Sequence, residues 1–235
     1  MRLLPSLFLI AISFNLFSQE LIVKKTKTKD RVEEYHVLKS NKNLKHGQYK
    51  KYKRDGELLM EGDFSANEKS GRWTYYRNGD VDQIYDHTSG KIISYNYENQ
   101  HYDMLINNEI EDIRLDQPPM FIGGKVGLNE IIGKYISYPE EAWDMGVLAG
   151  RVLAAAVIDE NNNLIDVQIV RPLPEPEKAA INGVSEFERA VVKGLREIKN
   201  DWISGNLNGN AIKSRCILEI TFFVHYSGAK EIRVE

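Results

Sequence analysis

The sequence predicts an α+β protein in which an antiparallel β-hairpin meander precedes a domain of two helices and three antiparallel strands. Three observations carry that expectation. Glycine–aromatic units recur in the first half, at Gly47-Gln48-Tyr49-Lys50-Lys51-Tyr52 and Gly71-Arg72-Trp73-Thr74-Tyr75-Tyr76. Each unit is followed by a dipeptide suited to a tight hairpin turn, Asp55-Gly56 and Asn78-Gly79, because these residues tolerate positive φ. After Pro118-Pro119 the apolar spacing changes, and Leu128, Ile131, Ile132 and Tyr135 recur at the helical period.

In the first half, the two unit glycines lie 24 residues apart, with aromatics two and five positions later. Self-similarity at a fixed period points to an array built from one unit. Aromatic-rich runs such as Tyr49 to Tyr52 and Leu58 to Phe64 suit a half-buried pleated surface. Ser89-Gly90 marks a third turn, between Ile84-Tyr85 and Ile92-Ile93. The tyrosines and the tryptophan are expected to pack along one face of the sheet, as core and not as a platform for sugars. Charge is uneven: residues 20–60 hold 12 basic and 6 acidic side chains, and residues 61–112 hold 4 and 11. One end of the sheet is therefore expected to be positive.

The first 18 residues stand apart. Arg2 precedes an apolar run from Leu3 to Phe17, shorter than the roughly 20 residues that span a bilayer. It reads as a secretory signal cut after Ser18, with an uncleaved anchor as the alternative, and the expected location of the mature chain is the periplasm. A formal charge of −3 over 235 residues gives no general attraction to nucleic acid. The single cysteine, Cys216, rules out an internal disulfide and reads as a small buried hydrophobe.

The polar stretch from Gln100 to Pro119 reads as a connection, with a boundary near Ile113; the hairpin domain would take residues 19–112 and the second domain 113–235. Gly123-Gly124 reads as a turn before a helix over 127–136. Tyr138-Pro139 opens a second helical turn, with Pro139 at the tolerated first position and Gly146 ending it. Val152 to Ile158 is a strand with both faces apolar. Asp159 to Asn163 turns into a second strand, Leu164 to Val170, and three prolines then enforce a loop. Ser185-x-x-Glu188 has capping-box spacing and opens a helix with Phe187, Val191, Leu195 and Ile198 on one face. A last strand runs from about Ile212 to Val224, with Cys216, Leu218, Ile220 and Phe222 on one side.

These residues carry two resemblances. The glycine–aromatic units resemble MORN-type repeats of bacterial surface and periplasmic proteins, with one extra residue before Asp55-Gly56. Tyr138-Pro139 with Ala142, Gly146, Gly150-Arg151-Val152, Ile158-Asp159, Asp166-Val167, Trp202, Gly205 and Asn208-Gly209 make residues 118–224 similar to the TonB carboxy-terminal domain. The sequence departs from that family in Asn162 for Gly, in Ser204 where a Pro commonly stands, and in a longer Pro172-to-Gly183 segment. It also carries hairpin repeats where an energy transducer has a membrane anchor and a Pro-rich spacer.

The TonB resemblance implies an adaptor that binds an extended segment of an outer-membrane transporter, or of another envelope protein, by strand addition. The expected peptide site is the last strand, Arg215, Ile217, Glu219 and Thr221, with Trp202 and Asn208-Gly209 shaping its mouth. An open edge would also permit homodimers by edge pairing. The alternative is a structural envelope protein that holds peptidoglycan or a membrane surface through basic hairpins. No cofactor or metal is expected, since His36, His46, His87, His101 and His225 have no ligand spacing with one another or with Cys216. No catalytic set declares itself, so an enzyme is not expected.

Overall fold

The computed structural model describes residues 20–96, 101–106, 109–111, 114–170, 186–225 and 227–234. The signal-like residues 1–18 and the Ser185 position of the capping box lie outside them. Seven strands follow one another in sequence: β1 (Leu21–Lys27), β2 (Arg31–Leu38), β3 (Lys45–Lys53), β4 (Leu58–Ser65), β5 (Glu68–Arg77), β6 (Asp80–Asp86) and β7 (Lys91–Tyr95). They form one antiparallel sheet in that order, as the hairpin turns require.

The turn chemistry explains the repeat and its irregularity. Between β5 and β6, Asn78 and Gly79 both take positive φ, 53° and 87°, and close a two-residue turn between Arg77 and Asp80. The extra residue before Asp55-Gly56 lengthens the equivalent turn. There the Lys53 N–H donates to Glu57 O across Arg54-Asp55-Gly56, with Gly56 in the left-handed region.

The rings of β3 and β5 meet across β4. Tyr49 and Trp73 stack with centroids 5.4 Å apart, and Phe64 stands edge-on to both. Gly62 makes this approach possible, since a Cβ there would lie 2.5 Å from the Trp73 ring. Trp73 and Tyr75 are fully buried; each is worth about 1.5–3 kcal/mol of burial by area.

The remaining elements are β8 (His101–Ile106), β9 (Glu109–Glu111), β10 (Met120–Phe121), α1 (Gly124–Tyr135), α2 (Glu140–Asp144), β11 (Ala149–Ile158), β12 (Leu164–Ile169), α3 (Glu186–Glu197), β13 (Trp202–Ile203), β14 (Gly205–Leu207), β15 (Asn210–Ile212), β16 (Ser214–Val224) and β17 (Lys230–Val234). A second sheet runs β12-β11-β16-β8-β9, and β17 also pairs with β16. The predicted helices and three long strands are present, but this sheet has six strands and not three. Strands β8 and β9, inside the stretch assigned to the hairpin domain, belong to this second sheet.

Helices α1 and α3 pack side by side on β11, β12 and β17. Leu128, Ile132, Val191, Leu195, Ile220 and Phe222 fill the space between helices and sheet. Gly194 lets the helices touch, because a Cβ there would meet Ile136 at 2.3 Å and the Tyr135 carbonyl at 2.6 Å. Cys216 is buried in this core, and desolvation pushes its thiol up to about 12. It stays protonated and acts as a hydrophobe.

The two sheets share an interface built on Gly123-Gly124. Both glycines have positive φ, 89° and 57°. A Cβ on Gly123 would lie 2.8 Å from Tyr75, and one on Gly124 would lie 2.6 Å from Asp82 Oδ2. Ile122, Val126 and Ile203 close over the aromatic cluster. The motif is a turn before a helix, as expected, and also a point where the two halves pack closely.

Candidate binding groove

The strand expected to be an open edge is central. All ten residues from Ser214 to Phe223 pair with β11 on one side. On the other side, Ser214 to Ile217 pair with β8, and Ile220 to Val224 pair with β17. This corrects the placement of the peptide site on Arg215, Ile217, Glu219 and Thr221. Thr221 pairs with Arg151 and Arg233, and Glu219 forms an ion pair with Arg151 at 2.5 Å. Arg215 is buried and donates to Gln168 Oε1. Only Leu218 and Glu219 lie between the two added strands.

Trp202 and the Asn208-Gly209 turn serve structure. Trp202 is buried, stands edge-on to Phe121 at 5.1 Å, and donates from Nε1 to Ile198 O at 2.6 Å. Asn208 and Gly209, both at positive φ, form the two-residue turn of the β14–β15 hairpin. The Asn208 N–H donates to Asp116 Oδ2. Neither position borders a strand edge of the main sheet.

Among the described residues, the outer edges of this sheet lie along β9, β12 and β17. Strand β17 is set up most specifically. In the turn before it, His225 N–H donates to Ala229 O and Gly228 N–H donates to His225 O. That register makes Glu231 and Arg233 the residues bonded to β16, because antiparallel pairs alternate. The N–H and C=O groups of Lys230, Ile232 and Val234 therefore point outward. At Val234 the outward groups are taken by a side chain: Asn129 Oδ1 accepts from its N–H at 2.8 Å and Nδ2 donates to its C=O at 3.0 Å. The Asn129 amide thus imitates one residue of a neighbouring strand, and the edge beyond it stays open at Ile232.

This edge forms one wall of a groove of about 1060 Å³. The opposite wall is the end of the first sheet, where the β1–β2, β3–β4 and β5–β6 turns converge; α1 forms the floor. Nine lysines and arginines line it against five carboxylates, so the groove is positive in a chain of formal charge −3. The positive end anticipated for residues 20–60 thus faces the second domain. Lys51, nearly buried, reaches across to Glu130 on α1 and also pairs with Glu33 at 3.1 Å. Partial burial alone would raise the Glu231 pKa, but hydrogen bonds from Arg233 and His225 hold its carboxyl below the usual range. Lys29 and Arg54, at the turn tips, are exposed and have no carboxylate within 4 Å among the described residues.

Lysines cap the aromatic face at its rim. Lys45 lies over Tyr35, Tyr49 and Phe64, and Lys69 lies over Trp73 and Tyr75, at 4.6–5.2 Å from the ring centroids. The two lysines stand two residues before the repeat glycines, so the unit begins with Lys and not with Gly. That signal was present in the sequence. So was an Asn inside an apolar helix, a poor helix former that needs a side-chain partner to justify its place. Alternation over Lys230 to Val234 behind Ser227-Gly228 likewise marks β17. No group of three or more His, Cys, Asp or Glu side chains suited to a metal occurs among the described residues, and no described helix is long and apolar enough to cross a membrane. Searches with the chain found no matching family model, no matching curated protein and no matching solved structure.

Proposed function

We propose that this protein is a periplasmic adaptor that binds extended peptide segments of envelope proteins, outer-membrane transporters among them, by adding a strand to its second sheet. The observation that carries the reading is the open, pre-shaped edge of β17, with the Asn129 amide bonded to Val234 as a neighbouring backbone would be. The sheet also accepts a distant segment as an added strand, since β8 pairs with Ser214 to Ile217 from more than a hundred residues earlier. Backbone hydrogen bonds would supply affinity and alternate side chains selectivity.

Peptides copying the periplasmic amino-terminal segments of outer-membrane transporters test this reading with the full chain. The expected result is slowed amide exchange at Lys230 and Ile232 on binding. Unchanged exchange at these amides and along β12, with every peptide, argues against strand addition.

A second reading, a structural protein holding peptidoglycan or an anionic membrane surface, is favoured by the basic turn tips Lys29 and Arg54. It expects binding to sacculi or anionic vesicles that weakens steeply with salt.

A further inference from the structure

We propose that the groove between β17 and the tips of the first sheet is a docking site for an extended acidic peptide, which pairs with Ile232 and sets carboxylates against Lys29 and Arg54. This rests on the strand-addition reading above and adds the location and the charge of the ligand.

Three observations converge on it. The first is geometric: outward backbone groups at Lys230 and Ile232 repeat at the period of a strand, about 6.6–6.8 Å for every second residue, and an extended backbone matches that repeat of donors and acceptors. The second is the stop supplied by Asn129. Its amide already bonds both groups of Val234, so an added strand has a defined end and register, and this edge is blunted to a length that suits a short segment. The third is electrostatic. The β1–β2 and β3–β4 turns bring Lys29 and Arg54 to the groove without a carboxylate partner among the described residues, and the groove as a whole carries more cations than anions. Its volume, about 1060 Å³, lies just above the range for small-molecule sites, about 300–1,000 Å³, as an extended peptide requires. A phosphate-bearing or carboxylate-bearing polymer would use the cations alone and leave the Ile232 edge unused, which is why the peptide is favoured.

The residue that tests the edge is Ile232. Its N–H faces the groove and not β16, so Ile232→Pro removes the docking donor and leaves the β16–β17 ladder bonds intact. The probe is a short fluorescein-labelled peptide alternating glutamate and valine, titrated into the full chain; lysine–valine and serine–valine peptides are the comparisons. Circular dichroism and thermal melting confirm that each variant folds, and Ile232→Val reports the loss of side-chain volume without loss of the donor.

We expect the acidic peptide to bind at least about tenfold tighter than the serine–valine peptide, the lysine–valine peptide not to bind, and Ile232→Pro to weaken binding at least about tenfold. Ile232→Val should bind as the native chain does, and Lys29→Glu with Arg54→Glu should erase the preference for the acidic peptide.

Equal binding of acidic and serine peptides, both lost in Ile232→Pro, would overturn the acidic assignment and leave strand addition standing. Acidic binding unaffected by folded Ile232→Pro would overturn the edge. Absence of binding by every extended peptide would overturn both. Self-association of the native chain that Ile232→Pro abolishes and the acidic peptide does not displace would make a second copy the occupant and overturn the peptide.

Discussion

The Gln83 side chain accepts a hydrogen bond from the Gly123 N–H through Oε1 and donates from Nε2 to the Phe121 carbonyl. A buried amide of the first sheet thereby satisfies both backbone groups at the turn that begins the second domain. Together with the close approach of Gly123 to Tyr75, this pair ties the first sheet to the turn from which α1 starts. Gln83→Ala leaves a buried donor and a buried acceptor unpaired, at about 1–3 kcal/mol for each. The expected loss is about 2–6 kcal/mol, read by urea denaturation, and a variant within about 0.5 kcal/mol of the native chain would contradict the role given to this amide.

Gly123 and Gly79 both take positive φ, 89° and 87°, but only Gly123 faces a neighbour. Nothing lies within 4 Å of a Cβ on Gly79, whereas one on Gly123 would lie 2.8 Å from the Tyr75 ring. Gly79→Ala should cost only the left-handed penalty, about 1–2 kcal/mol. Gly123→Ala should cost at least about 1–3 kcal/mol more by overpacking. Equal melting temperatures for the two variants would contradict the interface.

His87 links stability to pH. Burial first, and the nearby Lys69 charge second, lower its pKa from 6.5 to about 4, with Asp86 opposing. Its Nε2 faces the Tyr75 hydroxyl at 3.2 Å. Unfolded chains bind the proton as pH falls through about 6.5, and the folded chain binds it only near 4, so the stability held by neutral His87 is present above 6.5 and lost between 6.5 and 4. Melting temperature should therefore fall more steeply over this window in the native chain than in His87→Gln. Parallel curves would contradict the assignment.

Asn129→Ala removes both bonds to Val234. It should destabilise the chain by about 1–2 kcal/mol and speed hydrogen exchange of the Val234 amide, while leaving Glu231 and Arg233, which bond β16, protected. Equal exchange of all these amides would contradict the derived edge.

Local signals carried much of the fold. Asp55-Gly56, Asn78-Gly79 and Ser89-Gly90 each sit at a turn between consecutive strands, because the glycine requirement is a property of the turn alone. The β4–β5 turn was missed for the same reason: Ala66 and Asn67 take positive φ, 53° and 71°, without a glycine. The helical spacing of Leu128 and Ile132 and the alternation of Cys216 to Phe222 marked the second core.

The site was less legible. Whether β16 is an edge depends on its partners β8 and β17; β17 follows in a local hairpin, but the pairing with β8, more than a hundred residues earlier, leaves no local pattern. Arg215 and Thr221 look like the polar face of an open strand, yet both are buried, on a strand paired on both sides. Trp202 stood out as a large aromatic near that strand, but its indole N–H is spent on Ile198 inside the core. The groove was foreshadowed by the excess of cations in residues 20–60, by Asn129 within its helix and by the alternation of Lys230 to Val234.

The most direct test of strand addition in the groove is photo-crosslinking in the cell from positions 54 and 233, with position 217 on the paired strand as control, followed by mass spectrometry of the captured peptides. Capture of an extended segment of an outer-membrane transporter or other envelope protein from 54 and 233, absent from 217 and lost in Ile232→Pro, is the result expected. The same capture in Ile232→Pro, or capture from 217 alone, would contradict it.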